Sequence, residues 1–165
     1  MKGVESIMAY MLAFYFANQM SMMRGHSILP ESWKDLFPVW NFVNSVATPY
    51  PDLSILLSNL AAISREQMCR LFIEAPVESR DNEAFLAAFK DRDKLWSKAK
   101  AGQPGLRKLN NVGGDILGPW TTVPEAVCFG GAILEKYAVT QKIEDWKGEE
   151  SLRHASAPPR SRIQP

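Results

Sequence analysis

Apolar positions along the chain come in blocks with helical rather than alternating spacing, and proline or glycine separates one block from the next. The first block, Ile7 to Ala17, is eleven consecutive apolar residues, IMAYMLAFYFA. Ile7, Met8, Met11, Leu12, Tyr15 and Phe16 cover more than one face of it. The pattern therefore predicts a helix that must be enclosed by its own domain, a second copy or a partner. The run is far short of the roughly 20 residues of a membrane span, and Asn18, Gln19 and Ser21 follow it before Arg24. It has the length of a signal-peptide core, but Glu5 stands where such a segment is positive and no A-x-A pair follows. We read a buried helix; a signal or membrane-surface segment and a misplaced translation start are the alternatives. Five of the seven methionines lie between Met8 and Met23. Methionine fills core gaps and also suits adaptable contact surfaces. On the second reading the contact residues are Met8, Met11, Phe14 and Tyr15.

Gly25 and Pro30 punctuate the end of this block. Trp33, Leu36, Phe37, Trp40, Val43 and Ala47 then recur at helical spacing, with Pro38 among them. Proline removes a backbone donor and clashes with the preceding turn, so either the helix kinks there or a short turn over Glu31 to Phe37 precedes a separate helix. After the turn TPYPD, Asp52 is the expected N-cap of a helix of about 20 residues marked by Leu53, Leu56, Leu57, Leu60, Ile63, Met68, Leu71 and Phe72. A fourth helix opens at Ser79, Asp81 or Asn82. It carries Phe85, Leu86, Phe89, Leu95, Trp96 and Ala99 on one broad face and is expected to end at Gly102 and Pro104. No period-2 run predicts a strand.

The stretch from Val112 to Lys136, VGGDILGPWTTVPEAVCFGGAILEK, raises the possibility of a phosphate loop. Gly113 and Gly118 have the first spacing of a P-loop, but Pro119 and Trp120 stand where lysine and a hydroxyl are needed. TTVPE is better explained by capping: Thr122 as N-cap, Pro124 at the second helical position and Glu125 closing a capping box. Gly130 and Gly131 fall inside the resulting helix, where each costs roughly 1 kcal/mol relative to alanine. With Ala126 and Ala132 they are expected to form a smooth patch for close packing. The glycines thus read as architecture, with Gly113, Gly114 and Gly118 in tight turns between helices; a small anion held by the loop N–H groups and the helix N-terminus is the alternative. The fold class is all-α: a single-domain bundle of four to six helices over residues 1–148. Residues 149–165, ending SAPPRSRIQP, read as a disordered tail.

Charge changes this picture only locally. The 165 residues carry a formal net charge of +1, too little for a global field that recruits nucleic acid or an anionic membrane. Residues 90–108, however, hold seven basic side chains against Asp91 and Asp93. Lys90, Lys94 and Lys98 stand at i, i+4 and i+8, a stripe taken to run near Trp96, with Arg107 and Lys108 farther on. A solvated face is the plain reading, and a surface that tracks a phosphate backbone is the other.

Candidate chemistry is sparse. Cys69 and Cys128 both fall in helical apolar segments and read as reduced core thiols. His26 and His154 are the two histidines, and only His26 lies outside the tail. HExxH, paired CxxC and GxSxG motifs do not occur in the sequence. No metal and no cofactor is expected, and catalysis is left open with the balance against it. The expected function is a small cytoplasmic accessory or adaptor protein acting through helix-packing contacts. Its partner is another protein or a second copy, a two-fold dimer being simplest. Nucleic-acid association through residues 90–108 comes second. A small-molecule-binding protein or an enzyme without a recognisable motif comes third, and membrane association is not expected.

Overall fold

A computed structural model describes residues 1–26, 30–74, 82–110 and 117–143. Among these residues the chain is all-α, with five helices, one short 3₁₀ helix and no strand: α1 Lys2–Met23, the 3₁₀ helix Pro30–Asp35, α2 Leu36–Ala47, α3 Pro51–Glu74, α4 Asn82–Asn110 and α5 Val123–Thr140. The expected tail, Gly113 and Gly114, and the proposed caps Ser79 and Asp81 lie outside the described residues; Asn82 is the first helical residue of α4.

The hydrophobic centre is α3. Leu53, Leu56, Leu57, Leu60, Ile63, Met68, Leu71 and Phe72 are all buried, and the helix touches every other helix of the fold. It opens two residues earlier than the sequence suggested. Pro51 is its first residue, where proline's missing N–H costs nothing, so Asp52 supports the first turn rather than capping it. Its buried polar groups bond back to its own preceding turn: Ser58 Oγ to Ser54 O (2.9 Å), Asn59 Nδ2 to Ile55 O (2.9 Å) and Ser64 Oγ to Leu60 O (3.0 Å). Such bonds satisfy buried donors locally.

Of the two readings of Pro38 the second holds: a short 3₁₀ turn, Pro30–Asp35, precedes a separate helix. The 3₁₀ helix ends at Asp35, and Pro38 is the third residue of α2, within the first turn, where N–H groups have no intrahelical acceptor. At the start of α5 the capping box is present as expected. Glu125 N donates to Thr122 Oγ1 (3.4 Å), and Thr122 N donates to Glu125 Oε2 (2.8 Å).

Two expectations are corrected. First, α4 does not end at Gly102 and Pro104 but runs through them to Asn110. Tertiary packing overrides the local signals, because Gln103 and Leu106 beyond the expected stop are both buried against the core. Gly102 and Gly105 are the places where α3 comes close: a Cβ on Gly102 would stand 2.7 Å from Ile55 Cγ2, and one on Gly105 2.9 Å from Ile55 Cδ1. Second, α1 is not enclosed all round by this chain. Val4, Ile7, Met8, Met11 and Leu12 are buried, whereas Tyr10, Phe16, Met20, Met22 and Met23 are exposed. The inner stripe follows i, i+3, i+4, i+7, i+8, the ordinary geometry of a helix with one buried face; here the outer face is apolar as well.

The two glycines of α5 also part company. A Cβ on Gly130 would lie 2.6 Å from Met8 Sδ, so this glycine lets α1 approach α5. Gly131 has nothing within 4 Å of the same position, and the expected smooth patch reduces to Gly130.

Candidate functional site

An apolar opening lies where the N-terminal end of α1, the C-terminal half of α2, the start of α3 and the end of α5 converge. It is a groove of about 470 Å³. Val4, Val43, Ala47 and Leu53 form its buried floor. Phe42, Val46, Tyr50 and Ile143 stand on its rim, with Phe42 69 % and Val46 58 % exposed. The helical pitch of α2 explains the split: Trp40, Val43 and Ala47 point inward, and Phe42 and Val46 lie on the flank. Tyr137 lines the groove too, and burial together with nearby Tyr50 and Asp52 raises the pKa of its phenol.

Of the contact residues expected from the sequence, Met8 and Met11 are fully buried in the core. Phe14 and Tyr15 are partly buried against it. Phe14 packs on Tyr10 (centroids 6.5 Å apart) and on Trp33 (5.8 Å), which places it in an aromatic cluster joining α1 to the 3₁₀ helix. The outward apolar face of α1 is made instead by Tyr10, Phe16 and Met20.

Lys90, Lys94, Lys98, Arg107 and Lys108 are all exposed on α4. Trp96, however, is not beside the lysine stripe. At 3.6 residues per turn it projects about 160° around the helix from Lys94 and Lys98. It turns toward α3, where its indole N–H donates to Glu66 Oε2 (3.1 Å). Arg92 is absorbed by the same seam: its guanidinium stands 2.8 Å from Asp93 and 3.9 Å from Glu66, and over the Phe89 ring at 4.5 Å. Arg65 of α3 lies 3.7 Å above the Phe37 ring and 3.4 Å from Asp91. Part of the charge between residues 90 and 108 is thus spent within the molecule.

Both cysteines are free. Cys69 is buried and Cys128 is exposed, so the expectation of two core thiols holds for Cys69 alone. Burial pushes the Cys69 thiol up to about 11, which keeps it protonated and a poor nucleophile at neutral pH. His26 is exposed past the C-terminal end of α1, its backbone N–H bonded to Ser21 O at 3.0 Å. Among the described residues no three His, Cys, Asp or Glu side chains are grouped to hold a metal ion. No described helix is long and apolar enough to cross a membrane.

A second, smaller cavity of about 250 Å³ lies between α4 and the turn before α5, lined by Trp96, Lys100, Gln103, Leu117, Gly118, Pro119 and Trp120. Sequence reasoning took Gly118 for a tight-turn glycine and Trp120 for a departure from the P-loop pattern, and missed this cavity. The groove was missed as well, because its walls come from four segments distant along the chain. The one sequence signal for it was Phe42, set off the inward spacing of Trp40, Val43 and Ala47. Comparison with protein-family models, with curated proteins and with solved structures gives no match to this chain.

Proposed function

We propose that the chain is a non-catalytic helical adaptor acting through protein–protein contacts. The observation that carries this is the apolar groove of about 470 Å³ with Phe42, Val46, Tyr50 and Ile143 exposed around it. Contiguous exposed apolar surface of this kind is the mark of an interaction site. A concave apolar channel between helices suits the apolar face of another helix. The outer face of α1, with Tyr10, Phe16 and Met20, extends the surface available. A closed two-fold pair of chains is the simplest assembly that covers such a face.

The test uses residues that are exposed, so that the fold survives the change. Val46→Asp and Phe42→Asp should leave helical circular dichroism and the melting temperature unaltered. Light scattering of the wild type at micromolar concentration should give twice the chain mass, and Tyr10→Asp or Met20→Asp should reduce it to one. If the wild type is monomeric, affinity capture from the native source should enrich a protein that the Val46→Asp variant fails to hold. A monomer whose captured proteins are identical for wild type and Val46→Asp refutes the proposal.

Nucleic-acid association through Lys90, Lys94 and Lys98 is the second reading, favoured by their exposure on one stripe of α4. It is weakened by the distance of Trp96 from that stripe, which leaves the lysines without a stacking ring.

A further inference from the structure

We propose that the apolar groove takes the chain's own Trp146 as its occupant, so that in the free protein the segment just beyond α5 covers the surface a partner helix would use. The docking itself is independent of the adaptor reading; only its consequence for a partner rests on that reading.

Three features lead to this occupant. The first is how the chain leaves α5. Gln141 caps the helix, Lys142 follows with a left-handed backbone (φ 54°), and Ile143 comes next. Lys142 N donates to Val139 O (3.1 Å) and Ile143 N donates to Ala138 O (2.9 Å). These are the two bonds of a Schellman motif, which ends a helix and turns the chain off its axis. Glycine is usual at the left-handed position, and a residue with a Cβ is disfavoured there. Such a conformation persists where its surroundings hold it, and the residue after it, Ile143, is seated on the groove's rim. The chain is thus delivered to the groove rather than past it.

The second feature is what comes next. Trp146 stands three residues beyond Ile143 and is the one Phe, Trp or Tyr among residues 144–165. Three residues of chain span at most about 10 Å, and a groove of about 470 Å³ is of that order across. Glu144, Asp145 and Lys147 around it are charged and belong in water, which leaves the indole as the anchor. The third feature is the lining. Val4, Val43, Ala47 and Leu53 give the ring an apolar floor, and Phe42 and Val46 give it an apolar wall. A covered indole also needs an acceptor for its N–H. Tyr50, half exposed on the rim, offers its phenol oxygen.

An occupant from another molecule has to compete with this side chain. A group held by so short a linker faces its site at an effective concentration of about millimolar. On the adaptor reading Trp146 is therefore a latch, and a partner helix binds more weakly in proportion to the fraction of chains in which the latch is closed.

The experiment uses the full chain labelled with ¹³C and ¹⁵N, in which Trp146→Phe identifies the Trp146 indole signal among the five. Nuclear Overhauser contacts should run from the Trp146 ring to the methyl groups of Val43 and Val46. Its N–H should be shielded from a soluble gadolinium chelate about fivefold better than in a peptide of residues 141–150, as a local contact that is mostly closed requires. Val46→Asp and Phe42→Asp, both on exposed side chains, should reduce that shielding to the peptide's level and leave the buried Trp33 and Trp40 unaffected. The latch opens locally, below the global melt, so the melting temperature is not its readout. An equal mixture of labelled and unlabelled chains shows whose ring fills the groove, and the contacts should stay within one chain. The proposal is overturned if the Trp146 N–H is as accessible as in the peptide or if its shielding survives both rim variants. It is overturned too if the ring contacts run between labelled and unlabelled chains, which would make a second copy the occupant. All of these readouts are taken on the chain alone, so they decide the docking whether or not the adaptor reading stands.

Discussion

Gly130 and Gly131 are adjacent in α5, yet alanine should stabilise the chain only at Gly131. Each substitution removes the helix cost of glycine, a gain of about 1 kcal/mol. At Gly131 nothing within 4 Å meets the new methyl group, so the whole gain should appear as stability. At Gly130 the methyl would stand 2.6 Å from Met8 Sδ, with Leu56 Cδ1 and Leu60 Cδ1 at 3.8 and 3.9 Å behind it. Met8 is flexible but has no exposed surface into which to retreat. Overpacking of this kind costs about 1–3 kcal/mol, which cancels the helix gain or exceeds it. The two variants should therefore differ by about 1–3 kcal/mol, or about 3 °C in melting temperature for each kcal/mol at this chain length. Urea melts of both, and of each combined with Met8→Ala, provide the measurement. Met8→Ala alone destabilises, but in its background Gly130→Ala should regain the helix gain, giving a coupling that Gly131→Ala lacks. Equal stabilisation by both alanines in the wild-type background would refute the close approach of α1 to α5.

Native protein should offer one thiol, Cys128, to an aromatic disulfide reagent and a second, Cys69, only on unfolding; two fast-reacting thiols would contradict the burial of Cys69. The same burial has a pH signature: the unfolded chain loses the thiol proton near 9, and the fold keeps it until about 11. Unfolding then releases a proton in that window, so stability falls as pH rises from 9 to 11, by up to about 1.4 kcal/mol per unit. Urea midpoints between pH 8 and 11 should show a shallower fall in Cys69→Ala, and parallel slopes would count against it. Thr122→Ala breaks the capping box and should cost about 1 kcal/mol. The hydrogen bonds from Thr122 lower the Glu125 pKa, so the stability this carboxylate contributes is present above the unfolded value and lost as pH falls through the folded one. If the α4 lysines hold nucleic acid, heparin retention should fall steeply with salt and vanish in the Lys90→Glu, Lys94→Glu, Lys98→Glu triple variant; no retention at low salt removes that reading.

The elements most legible in the sequence are those whose signal is local. The capping box at Thr122 and Glu125 needs four residues, and α3 is written in the recurrence of Leu53, Leu56, Leu57 and Leu60. The end of α4 was illegible for the opposite reason. Gly102 and Pro104 say stop, and only Ile55, more than 40 positions away, says why glycine is needed there within a helix. For α1 the pattern gave no direction. With apolar side chains on every side, nothing local selects Met8 and Met11 as the buried stripe over Tyr10 and Met20; the fit of Met8 against Gly130 does. The 470 Å³ groove and the Trp120 cavity depend on where distant segments meet, and single-sequence periodicity does not report that.

The seam between α3 and α4 has one workable register. Ser58 and Ser64 are satisfied within α3 itself and so place no demand on a neighbour. Asn59 does, because its Oδ1 accepts from Gln103, and Ile55 one turn away must sit over Gly102 and Gly105. Sliding α4 by one turn, about 5.4 Å, would part the two amides and leave Ile55 over only one of the two glycines, against a residue that carries a Cβ at the other seat. The amide pair and the glycine seat therefore work as a key with two notches, and any rearrangement of this bundle must either keep α3 and α4 together as a rigid unit or separate them completely, since no intermediate sliding position satisfies both.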